Sequence, residues 1–211
     1  MQAIEDYILA HIDDEPAFLQ KLSRDVHVNL LRPRMLSGHL QGRTLKMFCR
    51  MIRPKRVLEI GTYAGYSALC IAESLDEDAC LHTIEINDEL EDFIRNYFNQ
   101  IEIAKKIHLH IGDAFDIVPT IDDTFDLVFI DGDKRFYLEY FELAFNKVRP
   151  GGFILADNTL WDNKVLHVPS TNDEQTKGIL RFNEMIMKDL RVEKIILPLR
   201  DGMTIIYKKH M

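Results

Sequence analysis

The stretch Val-Leu-Glu-Ile-Gly-Thr-Tyr-Ala-Gly-Tyr-Ser, residues 57–67, decides the fold of this chain. It opens with an apolar run that is typical of a buried strand. Gly61 then permits a sharp turn and the close approach of a ligand, and Gly65 lets a following helix pack tightly against the strand. The N-terminus of such a helix offers unpaired NH groups. The stretch therefore predicts a strand, a glycine turn and a helix that together form a nucleotide-type ligand site.

The residues around this turn restrict the ligand. A dinucleotide-binding turn has a second glycine where this chain has Tyr63, so that the backbone can touch a pyrophosphate. Glu59 adds negative charge where phosphates would lie. Glu85, at the end of the next predicted strand, is placed to accept hydrogen bonds from both hydroxyls of a ribose. These residues favour a nucleoside without a pyrophosphate, and an ordinary tight turn with a surface glutamate is the alternative.

The combination of strand, turn and Glu85 resembles motif I and the acidic loop of the class I S-adenosylmethionine (SAM) dependent methyltransferases. A nicotinamide-dependent dehydrogenase has related elements, but Tyr63 disfavours that class because its bulk replaces the second glycine. The resemblance implies that SAM is the ligand of the turn.

Strand-like and helix-like runs alternate along the rest of the chain. The strand-like runs before the last helix are residues 56–60, 81–85, 107–111, 126–131 and 152–157. Such alternation is typical of a parallel sheet covered by helices. Residues 192–197 and 203–208 then form a closing hairpin. We therefore expect an α/β fold, a doubly wound, seven-stranded, mostly parallel sheet of the Rossmann-like SAM methyltransferase type, with an antiparallel last strand.

The domain organisation is expected to be simple. Residues 1–54 are predicted to be helical, with breaks at Pro16 and Pro33, and residues 55–211 are predicted to form the catalytic α/β core. The sequence contains no repeat, linker or low-complexity segment that indicates a second domain. Residues 1–211 are therefore predicted to form one domain.

The composition disfavours several classes of protein. The net charge of −8 gives no basic field for nonspecific nucleic-acid binding. The three cysteines lack CxxC spacing and the eight histidines contain no spaced pair that predicts a ligand set, so neither a disulfide framework nor a structural zinc site is expected. His108 and His110 are expected to share one face of a strand. No apolar run approaches the ~18 residues of a membrane span, and a cytoplasmic location is expected.

Polar residues follow two predicted strands at their carboxyl ends. Asp131 comes directly after the apolar residues 127–130, and Asp157 and Asn158 follow residues 153–156. Neighbouring parallel strands lie ~4.8 Å apart and end at one edge of the sheet, so these side chains can converge. Two carboxylates and an amide oxygen suit Mg²⁺, Mn²⁺ or Ca²⁺. A strand-end cap at Asp131 and a plain turn at Asp157 and Asn158 are the alternatives.

These residues belong to two motifs of a known family. The run Asp-Gly-Asp-Lys-x-x-Tyr, residues 131–137, and the later run Ala-Asp-Asn-Thr-Leu-Trp, residues 156–161, resemble the signatures of the cation-dependent O-methyltransferases. This family includes catechol and caffeoyl-coenzyme A O-methyltransferases and bacterial relatives. The resemblance implies that Asp131, Asp157 and Asn158 bind the metal, with Mg²⁺ favoured and Mn²⁺ or Ca²⁺ as alternatives. It also implies that Lys134 takes the hydroxyl proton and that Trp161 lines the acceptor pocket.

The same resemblance implies which residues hold SAM. Met35 is expected near the sulfonium and Ser37 at the carboxylate end of the methionine. The other implied contacts run from the methionine end to the adenine and are Glu59, Gly61, Tyr63, Ser67, Asp131, Glu85, Gly112, Asp113, Ala114 and Phe115. Packing in the apolar core is the alternative for Met35, Ser37 and Phe115.

These expectations define a function. The chain is expected to be a SAM-dependent, divalent-metal-dependent O-methyltransferase that acts on a small catechol-like or caffeoyl-like acceptor. Some bacterial relatives methylate a hydroxylated uridine of transfer RNA, so tRNA is an alternative acceptor, which a basic patch around the metal would favour. A catalytically inactive SAM-binding protein is less expected, because Asp131, Lys134, Asp157 and Asn158 are all present. The resemblance further implies a homodimer that pairs through the N-terminal helices.

Overall fold

The computed structural model describes residues 2–210, with side chains from Ile4 onward. The strands are β1 (Arg56–Ile60), β2 (Cys80–Glu85), β3 (Ile107–Ile111), β4 (Phe125–Ile130), β5 (Val148–Asp157), β6 (Val192–Leu197) and β7 (Met203–Lys208). The α-helices are α1 (Gln2–Leu9), α2 (Ala17–Asn29), α3 (Gly38–Ile52), α4 (Tyr66–Ala72), α5 (Glu91–Phe98), α6 (Ala114–Ile117), α7 (Tyr137–Lys147) and α8 (Glu174–Lys188).

The seven described strands form one sheet in the order β3-β2-β1-β4-β5-β7-β6. Strands β1 to β5 are parallel, whereas β7 runs antiparallel to both β5 and β6. The strand order reverses between β1 and β4, and ligands of open α/β sheets bind at such a switch point. The predicted doubly wound, mostly parallel sheet with a terminal antiparallel pair is confirmed.

Alternation of side chains along the central strands builds a core on each face of the sheet. On β1, Val57 points to one face, where α2, α3 and α4 supply Leu19, Leu45 and Leu69. Leu58 points to the other face, which is covered by α7 and α8. Successive residues of a strand face opposite sides, so a strand that is buried on both faces is apolar at nearly every position. Glu59 is the buried exception on β1.

The boundaries of some elements differ from the predicted ones. Between β2 and β3, helix α5 is flanked by the 3₁₀ turns Asp88–Leu90 and Glu102–Lys106. Strand β5 begins at Val148 instead of 152, across a proline and two glycines that are more typical of turns. A register shift between Phe125 and Leu127 of β4 accommodates this extension. Within residues 2–210, no helix has the length and apolarity that crossing a membrane requires.

Candidate active site

The turn after β1 is tied to both neighbouring strands. The NH groups of Gly61 and Thr62 both donate to the carbonyl of Ile84 on β2, at 3.0 and 3.2 Å. Gly61 has a φ of +103°, and a Cβ at this position would lie 2.4 Å from the carbonyl oxygen of Asp131. The turn therefore requires glycine both for its left-handed backbone and for its contact with the end of β4.

We expect Gly61→Ala to lower the free energy of unfolding by about 2–4 kcal/mol, since left-handed strain and a backbone clash combine. Gly38→Ala is the matched control. Gly38 also has a positive φ, +76°, but a Cβ there would meet only the guanidinium of Arg200 at 3.6 Å. The control should cost about 1–2 kcal/mol, from strain alone. Urea denaturation of both variants measures the difference, and equal losses would contradict the close approach to Asp131.

Glu59 is a buried carboxylate that forms no ion pair with the side chains the structure describes. Its Oε2 accepts a hydrogen bond from the Thr83 hydroxyl, whereas its Oε1 is buried and has no hydrogen-bond partner within the described residues. Burial raises the pKa of Glu59 to about 8, although the Ser67 and Thr83 hydroxyls favour the charged form. A cationic group of a ligand would stabilise this carboxylate. Glu59 therefore supplies a place for positive charge under the turn.

Glu59→Gln should stabilise the ligand-free protein. Because the folded-state pKa is raised, the folded chain holds a proton that the unfolded chain releases above about pH 4.5, and wild-type stability falls as the pH rises from there to about 8. At pH 8 we expect Glu59→Gln to gain about 1–3 kcal/mol, after the cost of one unpaired amide. At pH 4.5 the gain should vanish. Urea denaturation at the two pH values measures this, with exposed Glu193→Gln as control. A pH-independent difference would contradict it.

Glu85 and Tyr63 join the end of β2 to the turn. Glu85 is buried, and its two oxygens accept hydrogen bonds from the NH groups of Tyr63, at 2.6 Å, and Asn87, at 2.9 Å. Burial raises the pKa of Glu85, and these NH groups oppose the rise. Tyr63 has a φ of +49°, which aims its NH at the carboxylate. Glu85 is thus held at the edge of the sheet, with its remaining lone pairs available to a ligand.

The turn after β3 lies beside Glu85. The NH of Gly112 donates to the Glu85 carbonyl at 2.8 Å. Asp113 caps helix α6 by accepting from the Phe115 NH at 2.9 Å, and Ala114 is buried. The ring of Phe115 stacks on Tyr140 with 5.1 Å between centroids. The predicted adenine-binding turn therefore adjoins the predicted ribose-binding carboxylate.

Asp131 and Asp157 meet at the carboxyl ends of β4 and β5. Ile130 pairs with Ala156, so the next residue of each strand is one of the two aspartates. Asp157 Oδ2 accepts from Gln41 Nε2 at 2.7 Å, and its Oδ1 is buried with no hydrogen-bond partner among the described residues. Burial and the negative charge of Asp131 raise the pKa of Asp157 to about 7. The burial of Asp157 beside a second carboxylate therefore favours its neutral form.

Lys134 reaches one of these carboxylates. Its Nζ donates to Asp131 Oδ1 and to the Tyr137 hydroxyl, both at 2.7 Å. The Tyr137 hydroxyl in turn donates to the carbonyl of Asp157 at 2.9 Å. Only 6% of Lys134 is exposed, which is unusual for a lysine. The amine is thus fixed at the ends of β4 and β5.

Asn158 and Trp161 lie in a strained segment after β5. Asn158 follows Asp157 directly, is half-buried, and has a φ of +58°. Trp161 also has a positive φ, +46°, and its indole NH is buried without a hydrogen-bond partner within residues 2–210. Lys164 Nζ lies 5.7 Å from the centre of the indole ring. Such strain is typical of functional segments, because surrounding contacts must hold it in place.

The structure places the two predicted SAM contacts before α3, Met35 and Ser37, in different surroundings. Ser37 is buried just before α3, whereas 52% of Met35 is exposed in the 3₁₀ turn Pro33–Met35. Core packing is therefore wrong as the alternative for Met35. The link from this segment to the carboxylates is Gln41, which sequence reasoning missed. Arg200 Nη1 holds Gln41 Oε1 at 3.2 Å, and no local pattern indicates either contact.

The donor set fits a hard divalent cation. Asp131, Asp157 and Asn158 offer the oxygen ligands that such cations prefer. Asp157 Oδ1 is a buried acceptor to which no described residue donates a hydrogen bond. The raised pKa of Asp157 indicates that added positive charge would stabilise its carboxylate.

Comparison with known proteins identifies the family. A family model described as O-methyltransferase matches residues 10–209. This chain belongs to the O-methyltransferase family. The O-methyltransferase is 34% identical over 163 residues to a catechol O-methyltransferase of Niastella koreensis, covering 75% of this chain and 73% of that one. It is 35% identical over 182 residues to caffeoyl-CoA O-methyltransferase 2 of Zea mays, covering 78% and 67%.

A solved structure supports the same assignment. The O-methyltransferase TomG from Streptomyces achromogenes, which is involved in tomaymycin synthesis and was crystallised with SAM, superimposes with a TM-score of 0.88. It is 29% identical, and the match covers 99% of this chain and 96% of that one. The predicted family and the predicted class I fold are confirmed, and the O-methyltransferase described here is a SAM-dependent enzyme.

Proposed function

We propose that this O-methyltransferase uses a divalent cation to methylate one hydroxyl of a small acceptor with two vicinal oxygens, catechol-like or caffeoyl-like. The observation that carries the proposal is the buried Lys134 amine, 2.7 Å from Asp131 Oδ1, at the sheet edge where Asp157 Oδ1 has no hydrogen-bond partner among the described residues. An amine, two carboxylates and an amide at one sheet edge suit deprotonation of a hydroxyl bound near a cation. The names of the catechol and caffeoyl-CoA relatives support the acceptor class.

The same edge of the sheet suits the parts of SAM. We place the cationic methionine end over Glu59, because no described residue donates a hydrogen bond to its Oε1. Gly61, Tyr63 and Ser67 are placed around that end. Glu85 is assigned to the ribose hydroxyls. The proposed adenine contacts are the turn residues Gly112, Asp113, Ala114 and Phe115, and the proposed contacts from the N-terminal side are Met35 and Ser37, with Asp131 beside the sulfonium.

Asp131, Asp157 and Asn158 are the proposed cation ligands, with Mg²⁺ favoured and Mn²⁺ and Ca²⁺ as alternatives. A bound divalent cation supplies Lewis acidity, which lowers the pKa of an acceptor hydroxyl and fixes its position. Gln41 holds Asp157 Oδ2 at 2.7 Å, and Oδ1 would remain available to a bound cation. Gln41 therefore orients one ligand and need not touch the cation itself.

Lys134 accepts the proton that the reaction releases, and Tyr137 positions Lys134. Lys134 accepts the acceptor's hydroxyl proton while the resulting oxygen attacks the methyl carbon of SAM. The O–C bond forms as the C–S bond breaks, and S-adenosylhomocysteine leaves. Tyr137 fixes Lys134 by accepting its hydrogen bond and by donating to the Asp157 carbonyl. Trp161 is assigned to the wall of the acceptor pocket.

Methyl transfer from radiolabelled SAM tests the proposal. A panel of catechols and caffeoyl esters is incubated with the enzyme in Mg²⁺ or in EDTA. Label on an acceptor with vicinal oxygens, lost in EDTA, supports the proposal, and label on matched mono-hydroxyl compounds at the same rate would contradict it.

Transfer RNA lacking late modifications is the second arm of the same experiment. Transfer of label to RNA would assign the site to tRNA modification, with the same residues in the same roles.

Homodimer formation also stays a prediction. It is supported on the N-terminal helices by exposed apolar side chains, Ile4 at 60%, Met47 at 50% and Met51 at 67%.

A further inference from the structure

A second set of metal-type ligands lies at the opposite end of the sheet. Cys80 begins β2, His82 follows two residues later, and His108 is the register partner of His82 on β3. Cys80 Sγ and one ring nitrogen of each histidine all lie within 4.8 Å of one another. Glu85, at the active-site end of β2, lies five residues beyond Cys80, which is about 17 Å along the strand. The cluster is therefore separate from the methyl-transfer site and independent of the function proposed for it.

Strand geometry explains why these residues meet. Residues two apart on a strand share a face, so Cys80 and His82 project together from β2, and His108 and His110 project together from β3. The His82 ring stacks on His108 and on His110, with centroids 4.9 and 5.2 Å apart. This packing gathers a thiol and three imidazoles on one patch near the edge strand β3.

The patch is accessible and has a carboxylate beside it. His108 is exposed, Cys80 is half-buried, and 13% of the His82 side chain is exposed. His82 Nε2 lies 3.3 Å from Asp123 Oδ2, and its Nδ1 lies 3.0 Å from His110 Nε2. Both nitrogens of His82 thus face polar groups, so coordination there replaces one of these contacts. Ligands outside the first three can come from solvent.

Burial favours the uncharged forms of the side chains in the patch. Burial and the neighbouring imidazoles lower the pKa of His82 and of His110, which keeps the rings neutral, the form that binds metals. Arg56 Nε donates to Asp123 Oδ1 at 3.3 Å. Burial raises the pKa of the Cys80 thiol, and the positive charge of Arg56 opposes that rise only in part, so a metal has to displace the thiol proton.

We propose that Cys80, His82 and His108 form a binding site for a borderline-soft divalent transition ion of the Zn²⁺ type. One sulfur and two imidazole nitrogens are a ligand set that zinc accepts, whereas Mg²⁺ and Ca²⁺ prefer oxygen. In tetrahedral zinc sites the ligand atoms lie about 3.3–3.6 Å apart. Donor separations of up to 4.8 Å therefore have to close by as much as about 1.2–1.5 Å, and His108 is the exposed ligand of the three. Binding releases the Cys80 proton to solvent.

Cobalt(II) is a direct probe, because a thiolate ligand gives it a charge-transfer absorption in the near ultraviolet. Titration of the full-length, reduced chain with Co²⁺ should produce this band at one equivalent, and Zn²⁺ should abolish it. Cys80→Ser should remove the band. His108→Ala should weaken Zn²⁺ binding, measured by competition with a chelating dye, by at least about tenfold. The matched control is exposed His27→Ala on α2, which should leave binding unchanged.

One further variant and the burial of the other two cysteines separate this site from other sources of signal. Asp131→Asn should leave the cobalt–thiolate band intact, since it alters only the oxygen-donor site. Cys49 and Cys70 are buried and should contribute nothing, so the band must depend on Cys80. The proposal is overturned if no band forms at one equivalent, if the band survives Cys80→Ser, or if His108→Ala binds Zn²⁺ like the wild type. Circular dichroism of each variant checks folding. If Cys80→Ser unfolds, His108→Ala still tests the proposal, because His108 is exposed.

Discussion

Replacing Lys134 with methionine should lower the rate constant for methyl transfer by about 10²–10⁴-fold, the usual contribution of a general base. Methionine keeps the length and apolar stem of the side chain but cannot accept the hydroxyl proton. The loss should fall on kcat, with the affinity for SAM within about twofold of wild type. Single-turnover kinetics with radiolabelled SAM measure the first quantity, and calorimetric titration with SAM measures the second.

Controls for this substitution exist in the same chain. Lys105→Met changes an exposed lysine whose amine forms an ion pair with Glu102, and it should leave both quantities unchanged. Tyr137→Phe removes a hydroxyl that positions the amine, and it should lower kcat less than Lys134→Met does. The pH–rate profile adds a separate readout, because the limb due to the base should disappear in Lys134→Met. An unchanged kcat, or a defect confined to SAM binding, would contradict the assigned role.

Much of the fold could be predicted because its signals are local. Residues 57–60 are apolar except for Glu59, and such a run before glycine indicates a buried strand followed by a turn. The start of β5 could not be predicted this way, since Pro150 and Gly151 are typical of turns and only pairing of Val148 with Phe125 makes them part of a strand. Strand pairing is a tertiary interaction that overrides local preference.

The candidate site likewise has contacts that the sequence predicts and contacts that it does not. The strand-end rule of parallel sheets predicted that Asp131 and Asp157 lie close together, and the structure places them there. Gln41 could not be predicted, because it meets Asp157 across 116 residues of chain through helix α3. The Cys80 cluster was missed for a similar reason, since spacing within β2 and within β3 shows two separate pairs. Only the register that sets His82 beside His108 joins them.

Removing the cation, or the ligand that is poised for it, should nearly abolish methyl transfer. We expect EDTA treatment and Asp157→Asn each to lower the rate by at least about a hundredfold, since a Lewis acid contributes several kcal/mol to such reactions. Asp157→Asn retains the shape of the side chain and an acceptor for Gln41 but loses the charge. Exposed Asp122→Asn is the matched control and should keep full activity. Full activity after EDTA treatment would contradict the role of the cation.

The raised pKa of Asp157 gives this prediction a readout that does not depend on turnover. Because the folded-state pKa is about 7, Asp157 holds a proton between about pH 4 and 7 that the unfolded chain has released, so the metal-free protein loses stability as the pH rises through that window. Above pH 7 the ionised carboxylate is free to bind Mg²⁺, whereas at pH 5.5 a proton competes with the ion. A fixed concentration of Mg²⁺ should therefore raise the melting temperature more at pH 8 than at pH 5.5. Asp157→Asn should remove that difference, and an equal shift at both pH values in the wild type would argue against cation binding at this carboxylate.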